Sequence, residues 1–189
     1  MENAVTRIAE TIHHVAMRED VELSELVNEG IFFVPELAFA YAVGKKIMED
    51  RERVFSGAPV KWRREIDLGN GGPTDLVFQY KDGKRIAFEF KISGKPSAYL
   101  GDIRKLSNLP AENTARIFCA LVVAFEKDRR EDLRIQAVQR FQDEQIHPLL
   151  DPFPFFSTKQ RRYQSPIACV VGIWSVGDIP KLKKHSSIT

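Results

Sequence analysis

The sequence predicts an α/β fold, with a mixed central β-sheet of about five strands flanked by helices and a helical segment at the N-terminus. Three observations support this prediction. Apolar residues recur at helical spacing near the N-terminus, three strand-like runs then follow one another directly, and helical and strand-like runs alternate after them. Strands that follow one another directly pair antiparallel, whereas alternation with helices is typical of parallel pairing, so both kinds of pairing are expected.

Three helices are predicted in the first part of the chain, beginning near the N-terminus, at Val21 and at Pro35. The first is indicated by an apolar stripe at helical spacing, formed by Val5, Ile8, Ile12 and Val15. The second ends at Val27 and the third at about Asp50. The five predicted strands cover residues 60–68, 74–80, 84–92, 117–125 and 167–174. Two further helices are predicted over about 97–107 and 129–146.

With 189 residues, the chain is long enough for one well-buried domain, which we predict over residues 1–189. Within it we expect a helical segment (1–52), an α/β core (53–176) and a mobile tail (177–189). No apolar run approaches the ~20 residues of a membrane-spanning helix, and the N-terminal residues do not resemble a signal peptide. The two cysteines lie in apolar runs, as is typical of buried thiols in a reducing compartment, so we expect a cytoplasmic protein with no membrane contact.

Charge is distributed unevenly along the chain, although its net value is only +2. Residues 1–52 hold 11 acidic and 5 basic side chains, whereas residues 53–189 hold 15 acidic and 23 basic ones. A basic main body favours a polyanionic partner, and the uneven solvated faces of an ordinary protein explain the same pattern equally well. Two basic groups could bind phosphates or simply be solvated: Lys61, Arg63 and Arg64, and Lys159, Arg161 and Arg162.

Two neighbouring predicted strands carry the candidate chemistry. Because side chains alternate along a strand, Glu89 and Lys91 share one face, and the register of the turn decides whether Asp75 shares it too. A two-residue turn would put the two carboxylates on opposite faces. A three-residue loop over 81–83, ending in a left-handed Gly83, puts Asp75 directly opposite Glu89 and also keeps the apolar side chains together in the core. We therefore predict the three-residue loop.

Two carboxylates directly opposite each other repel, and a divalent cation removes that repulsion. Mg²⁺ takes one or two carboxylates, keeps several waters and uses substrate phosphate oxygens for its remaining positions. We therefore predict that Asp75 and Glu89 hold Mg²⁺ or Mn²⁺, assisted by the carbonyl of Phe90. Lys91 points to the same place, where its ammonium group can hold an attacking water or stabilise the charge that develops on phosphorus.

Asp75, followed by Glu89-Phe90-Lys91, resembles the motif of the PD-(D/E)XK superfamily of restriction-endonuclease-like nucleases. Pro73-Thr74-Asp75 approximates the leading Pro-Asp of that motif, with Thr74 inserted. The resemblance covers roughly residues 31–125. It implies a mixed sheet flanked by helices, metal-dependent hydrolysis of phosphodiester bonds, and a nucleic-acid substrate, either DNA or RNA, of which DNA is favoured.

Further site residues are implied by the same resemblance. Glu36 matches an acidic residue that many members contribute from the helix before the sheet as an additional metal ligand. It lies on the inward face of its predicted helix, although a glutamate in a first helical turn is also favoured by the helix dipole alone. Tyr99, Asp102 and Lys105 match the helix after the motif, which often lends a polar side chain to the site; solvated helix positions look similar.

The sequence thus favours a magnesium-dependent nuclease and leaves two alternatives open. The same fold could serve as a non-catalytic module that binds nucleic acid or another protein, since a fold does not define a function. The enzyme could also be active only as a homodimer or in a larger assembly, with the acidic N-terminal helices as the docking surface.

Overall fold

A seven-stranded mixed sheet forms the centre of the computed structural model, in which residues 1–127 and 132–180 are described. The strands are β1 (Val60–Asp67), β2 (Pro73–Tyr80), β3 (Arg85–Ile92), β4 (Thr114–Phe125), β5 (Ile146–Pro148), β6 (Phe155–Thr158) and β7 (Ile167–Val176). Their order across the sheet is β1-β2-β3-β4-β7-β5, and β6 also pairs with β7. Strands β3 and β4 pair in parallel, and the other neighbours pair antiparallel.

The mixed α/β class predicted from the sequence is confirmed, whereas the predicted number of about five strands is wrong because the sheet has seven. The two additional strands, β5 and β6, contain only three and four residues. Both lie in a proline- and phenylalanine-rich stretch and pair with the long buried strand β7. Strands this short have no readable alternation, so only their pairing with β7 defines them.

The helices of the described residues are α1 (Glu2–Val27), α2 (Glu36–Glu49), α3 (Arg51–Phe55), α4 (Pro96–Ser107) and α5 (Leu133–Gln139), with a 3₁₀ turn at Ile31–Phe33. The first two predicted helices form one continuous helix, since no proline or glycine interrupts α1. A polar break in its apolar stripe includes Asp20, which is buried and accepts a hydrogen bond from the Ile31 backbone N–H at 2.8 Å. The sequence pattern does not predict α3. Helix α5 is shorter than the predicted range 129–146, of which residues 129–131 lie outside the described part.

Helices on both faces of the sheet enclose two apolar cores. On the first, called the α1–α3 face, large side chains such as Phe78, Phe88 and Phe90 pack against α1, α2 and α3. On the second, called the α4–α5 face, smaller residues such as Val77 and Ala87 lie with the buried side chains of α4 and α5. Strand β4 is buried over nearly its whole length, as predicted for a central strand covered on both faces.

The turn between β2 and β3 has the predicted three-residue register. Leu76 lies opposite Phe88, and this register continues to a loop closed by Tyr80, whose N–H donates to the Lys84 carbonyl at 2.8 Å. Gly83 has a φ of 85°, the left-handed conformation that such a loop requires. The prediction is confirmed, and the alternative two-residue turn is excluded.

The remaining sequence predictions concern the tail, the cysteines and the membrane. Residues 181–189 of the tail lie outside the described part of the chain. The preceding residues lie against the protein body, since the Gly177 N–H donates to the Gln145 carbonyl at 2.6 Å and Ile179 packs on the first core. Cys119 and Cys169 are both buried. Within residues 1–127 and 132–180, no helix combines the length and apolar character needed to cross a bilayer.

Candidate active site

Asp75 and Glu89 meet where the pairing of β2 with β3 ends. The last paired residues at this end are Leu76 and Phe88, so the same register places Asp75 across from Glu89 on the α4–α5 face. Beyond that pair, the Asp75 carboxylate accepts the Phe90 backbone N–H at 2.8 Å. The Asp75 carboxylate thus accepts a β3 backbone N–H that lies beyond the last paired residues of β2 and β3. This hydrogen bond holds the carboxylate beside Glu89.

Glu89 is nearly sealed from solvent, with 3% of its surface exposed, and its nearest cation comes from α4. The Lys105 Nζ lies 2.8 Å from the Glu89 Oε1 and also contacts the Pro73 carbonyl oxygen. Among the described residues, Lys105 is the cation within ion-pair distance of Glu89. The contact is an ion pair when the Glu89 carboxyl is ionised, and a carboxylate has further lone pairs that can accept a ligand.

Lys91 lies between two further carboxylates. Its Nζ is 3.1 Å from the Glu36 Oε1 and 3.1 Å from the Asp102 Oδ2. Glu36 also accepts the Ile92 backbone N–H on its other oxygen at 2.8 Å, so α2 is attached to the end of β3. Glu36 therefore reaches the site, as predicted, and contacts Lys91 there.

These six residues, Glu36, Asp75, Glu89, Lys91, Asp102 and Lys105, are called the carboxylate–lysine centre. Burial raises the pKa of the Glu89 carboxyl to about 8, and the charges of Asp75 and Asp102 raise it further against the opposing effect of Lys105. Burial also raises the pKa values of Asp75 and Asp102. For Lys91, burial disfavours the ammonium form, but Asp102 and Glu36 outweigh burial and raise its pKa. The centre thus combines three carboxyl groups whose burial favours the neutral form with a lysine that remains charged.

The centre suits a divalent cation held by two carboxylates. Its four acidic and two basic side chains carry a formal charge of −2 when all are ionised, and carboxylate oxygens are the ligands that Mg²⁺ prefers. In the described part of the chain, no three His, Cys, Asp or Glu side chains converge at metal-binding spacing. Because Mg²⁺ can bind through one or two carboxylates, Asp75 and Glu89 satisfy its requirement without a third acidic ligand. Glu36 contacts Lys91 in this structure, and its predicted role as an additional metal ligand stays a prediction.

Of the three α4 candidates, the structure brings two into the centre. Asp102 and Lys105 each contact a motif residue, as described above. Tyr99 is fully buried, its ring packs edge-on against Phe118 with centroids 5.6 Å apart, and its hydroxyl has no hydrogen-bond partner among the described residues. Tyr99 is therefore a core residue of the α4–α5 face and makes no polar contact with the centre in the described structure.

The two predicted phosphate-binding groups lie in different surroundings. Lys61, Arg63 and Arg64 are exposed on β1, at one edge of the sheet. In the second group, Arg161 donates to the Val27 carbonyl at 2.5 Å and pairs with Glu29 at 3.6 Å. Arg162 lies over the Tyr163 ring, and the Lys159 carbonyl accepts the Gly30 N–H at 2.7 Å. The second group therefore anchors the chain to the end of α1.

Asn70 supports the centre and was not predicted. It is 2% exposed, and its Nδ2 donates to the Lys105 carbonyl at 3.1 Å and to the Thr74 hydroxyl at 3.3 Å. It thereby attaches the glycine-rich β1–β2 loop to the helix that supplies Lys105. A polar residue among glycines resembles an ordinary turn, so the sequence offers no signal that Asn70 is buried.

Comparison of the chain with known family models, curated proteins and solved structures finds no match. Any functional assignment therefore rests on the chemistry of the residues themselves.

Proposed function

We propose that this protein is a divalent-metal-dependent nuclease of the PD-(D/E)XK kind, which hydrolyses phosphodiester bonds of DNA or RNA. The proposal rests chiefly on one observation: Asp75 and Glu89 lie side by side on one face of the sheet, where burial raises the pKa of both carboxyl groups. Such a buried pair is costly by itself, and a bound cation would relieve that cost. DNA remains the favoured substrate, and a cytoplasmic location remains a prediction.

Asp75 and Glu89 would hold Mg²⁺ or Mn²⁺, with the carbonyl of Phe90 as a third protein ligand. When bound, the cation supplies Lewis-acid activation of the attacking water and of the phosphoryl group. The Phe90 N–H keeps the Asp75 carboxylate in place for this role. Lys105 would have to leave Glu89, which its flexible side chain allows.

Lys91 acts as an electrostatic group in this proposal. Its raised pKa keeps the ammonium protonated, so it donates hydrogen bonds and does not accept a proton from water. It can therefore orient the attacking water and stabilise negative charge on the phosphoryl oxygens in the transition state. Glu36 and Asp102 hold it in position from two different helices.

A non-catalytic binding module is the second candidate, and a specific observation favours it. Lys105 lies 2.8 Å from Glu89, so the pair could serve only to stabilise the fold. The nuclease proposal also includes the case in which the enzyme is active only as a homodimer or in a larger assembly.

The test is cleavage of plasmid DNA, linear DNA and RNA in Mg²⁺, in Mn²⁺ and in EDTA. We expect the wild type to cleave at least one substrate only with metal, and Asp75→Asn to lose this activity through weaker metal binding, with partial recovery at high Mn²⁺. Asp82→Asn is the matched control, because this exposed carboxylate lies in the loop at the other end of the same two strands. No cleavage by the wild type with any metal, or equal cleavage by Asp75→Asn, would leave the binding module as the better account.

A further inference from the structure

The edge strand β1 carries three neighbouring cations that form no ion pair within residues 1–127 and 132–180. Lys61, Arg63 and Arg64 are all exposed. Charged residues on an edge strand commonly serve only to prevent pairing with another sheet. That explanation applies equally to all three residues, whereas in the structure they lie on different faces of the sheet.

The register of β1 and β2 places the three cations on opposite faces of the sheet. Lys61 lies opposite Gln79 and Arg63 opposite Val77, so both project from the α4–α5 face. Arg64 projects from the α1–α3 face, where its guanidinium group lies 5.0 Å from the centre of the Tyr41 ring. Two adjacent arginines of one strand therefore have different environments.

Arg63 is near the candidate active site. Asp75 is two residues along β2 from Val77, the residue opposite Arg63, which makes Arg63 and Asp75 diagonal neighbours with Cα atoms about 7–8 Å apart. Lys61 follows two residues further away on the same face, at about 6.8 Å from Arg63. The helices of this face pack mainly on β3, β4 and β7, so no helix separates the two cations from solvent.

We propose that Lys61 and Arg63 bind the backbone phosphates next to the scissile bond, so that a phosphodiester chain runs across β1 and β2 towards Asp75. The direction of this path rests on the nuclease function proposed above, whereas the binding of phosphates does not. Both cations are available for this role, since no carboxylate in the described part of the chain forms an ion pair with either. Arg64, on the other face, does not contribute to the path.

The experiment measures binding without cleavage, in EDTA, by fluorescence anisotropy of one labelled oligonucleotide sequence as single-stranded DNA, duplex DNA and RNA. Affinity is determined over a series of KCl concentrations for wild type, Lys61→Gln, Arg63→Gln, the double variant and Arg64→Gln. Glutamine keeps much of the side-chain length while removing the charge, and circular dichroism checks the fold. The three nucleic acids distinguish the possible sources of the same phosphate chemistry.

Each lost phosphate contact should reduce the slope of log K against log salt by about 0.9 on duplex DNA or about 0.7 on a single strand. At ~0.1 M salt the double variant should therefore bind about 10- to 100-fold more weakly than wild type. Arg64→Gln should keep the wild-type slope. An unchanged slope for the double variant, or the same loss for Arg64→Gln, overturns the inference.

The two proposals fail separately. If wild type cleaves nothing with any metal and the slopes still differ as expected, the nuclease function fails while the phosphate-binding surface stands. If Asp75→Asn loses cleavage but Lys61→Gln and Arg63→Gln bind like wild type, only the phosphate path is wrong.

Discussion

Two buried acid–base contacts of this protein have opposite electrostatic outcomes. In the carboxylate–lysine centre, Glu89 lies against Lys105, and at the start of α5, Asp132 lies against Arg134. All four side chains are between 4% and 19% exposed. The pKa of Glu89 is nevertheless raised to about 8, whereas that of Asp132 is lowered. Burial and a neighbouring cation alone therefore do not determine the charge of an acid.

The difference lies in the number and geometry of the donors. Burial disfavours the Asp132 carboxylate, but Arg134 donates to it through Nε at 2.9 Å, NH2 at 2.6 Å and the backbone N–H at 2.8 Å. The backbone contact also caps α5. Glu89 instead has a single ammonium contact, from Lys105, and two neighbouring carboxyl groups that raise its pKa. The Asp132 carboxylate is thus stabilised by three donors of one residue, whereas burial and like charges outweigh the single cation beside Glu89.

The largest effect is expected from removing a cation of the centre without harming the fold. Lys91→Ala should lower the cleavage rate by about 10²–10³-fold, because the lost charge acts on the transition state, and metal binding should be nearly unchanged. Single-turnover cleavage and Mn²⁺ titration measure the two properties. Arg134→Ala is the contrasting variant: its folded fraction should cleave at the wild-type rate. Equal cleavage by Lys91→Ala and wild type would show that Lys91 has no catalytic role.

The second expected effect concerns the ion pair of Asp132 and Arg134. Asp132→Asn removes the charge that Arg134 depends on, and it should lower the free energy of unfolding by about 2 kcal/mol, or Tm by about 4–8 °C. Thermal unfolding followed by circular dichroism measures this change. The comparison breaks down if Asp132→Asn is as stable as wild type, since the pair would then contribute nothing to the fold.

The third effect tests whether Lys105 competes with a divalent cation for Glu89. Lys105→Met keeps the length of the side chain and removes its charge, so the ionised centre should bind Mn²⁺ about tenfold more tightly. Because Lys105 also lowers the pKa of Glu89, the two proteins are compared at a pH where this carboxyl is ionised in both. Calorimetric titration measures the affinity. Arg104→Met, which changes the exposed neighbour on α4, should bind like wild type. Weaker binding by Lys105→Met would mean that Lys105 assists the cation.

The smallest effect is a change in the pH dependence of stability without metal. The pKa of Glu89 is about 8 in the folded protein and its ordinary value is 4.5. Between these pH values the folded state therefore binds more protons than the unfolded state, and the free energy of unfolding decreases as pH rises. Asp132 acts in the opposite sense, since its stabilisation is present above pH 3.8 and is lost as pH falls through its lowered pKa.

Glu89→Gln should therefore be more stable than the wild type above pH 8 by about 1 kcal/mol or more, with little difference near pH 4. Urea unfolding at a series of pH values in EDTA checks this expectation. The loss of stability in Asp132→Asn relative to wild type should instead be largest above pH 4 and should shrink as pH falls. Parallel pH profiles of wild type and Glu89→Gln would mean that Glu89 is not held in its neutral form.

The sequence alone predicted that Asp75, Glu89 and Lys91 come together in the candidate site. Alternation along β3 put Glu89 and Lys91 on one face, and the need to bury the aromatic side chains selected the register that brings Asp75 to them. Side-chain alternation and the burial of aromatic residues both act within two strands joined by a short loop. The register of this strand pair can therefore be predicted without the rest of the chain. The apolar stripe of α2 likewise indicated that Glu36 turns inward, and Glu36 does reach the end of β3.

Only the tertiary structure decided which side chains surround these three residues. Lys105 and Asp102 meet Glu89 and Lys91 because α4 crosses the sheet at a particular position, and Tyr99 on the same helix is taken into the core. The tertiary structure also decided what lies beside Arg63 and Arg64, since Arg64 lies over the Tyr41 ring whereas Arg63 is a diagonal neighbour of Asp75. Helix placement depends on the packing of residues far apart in the chain, and the pKa values depend on the resulting burial, so neither can be read from a local pattern.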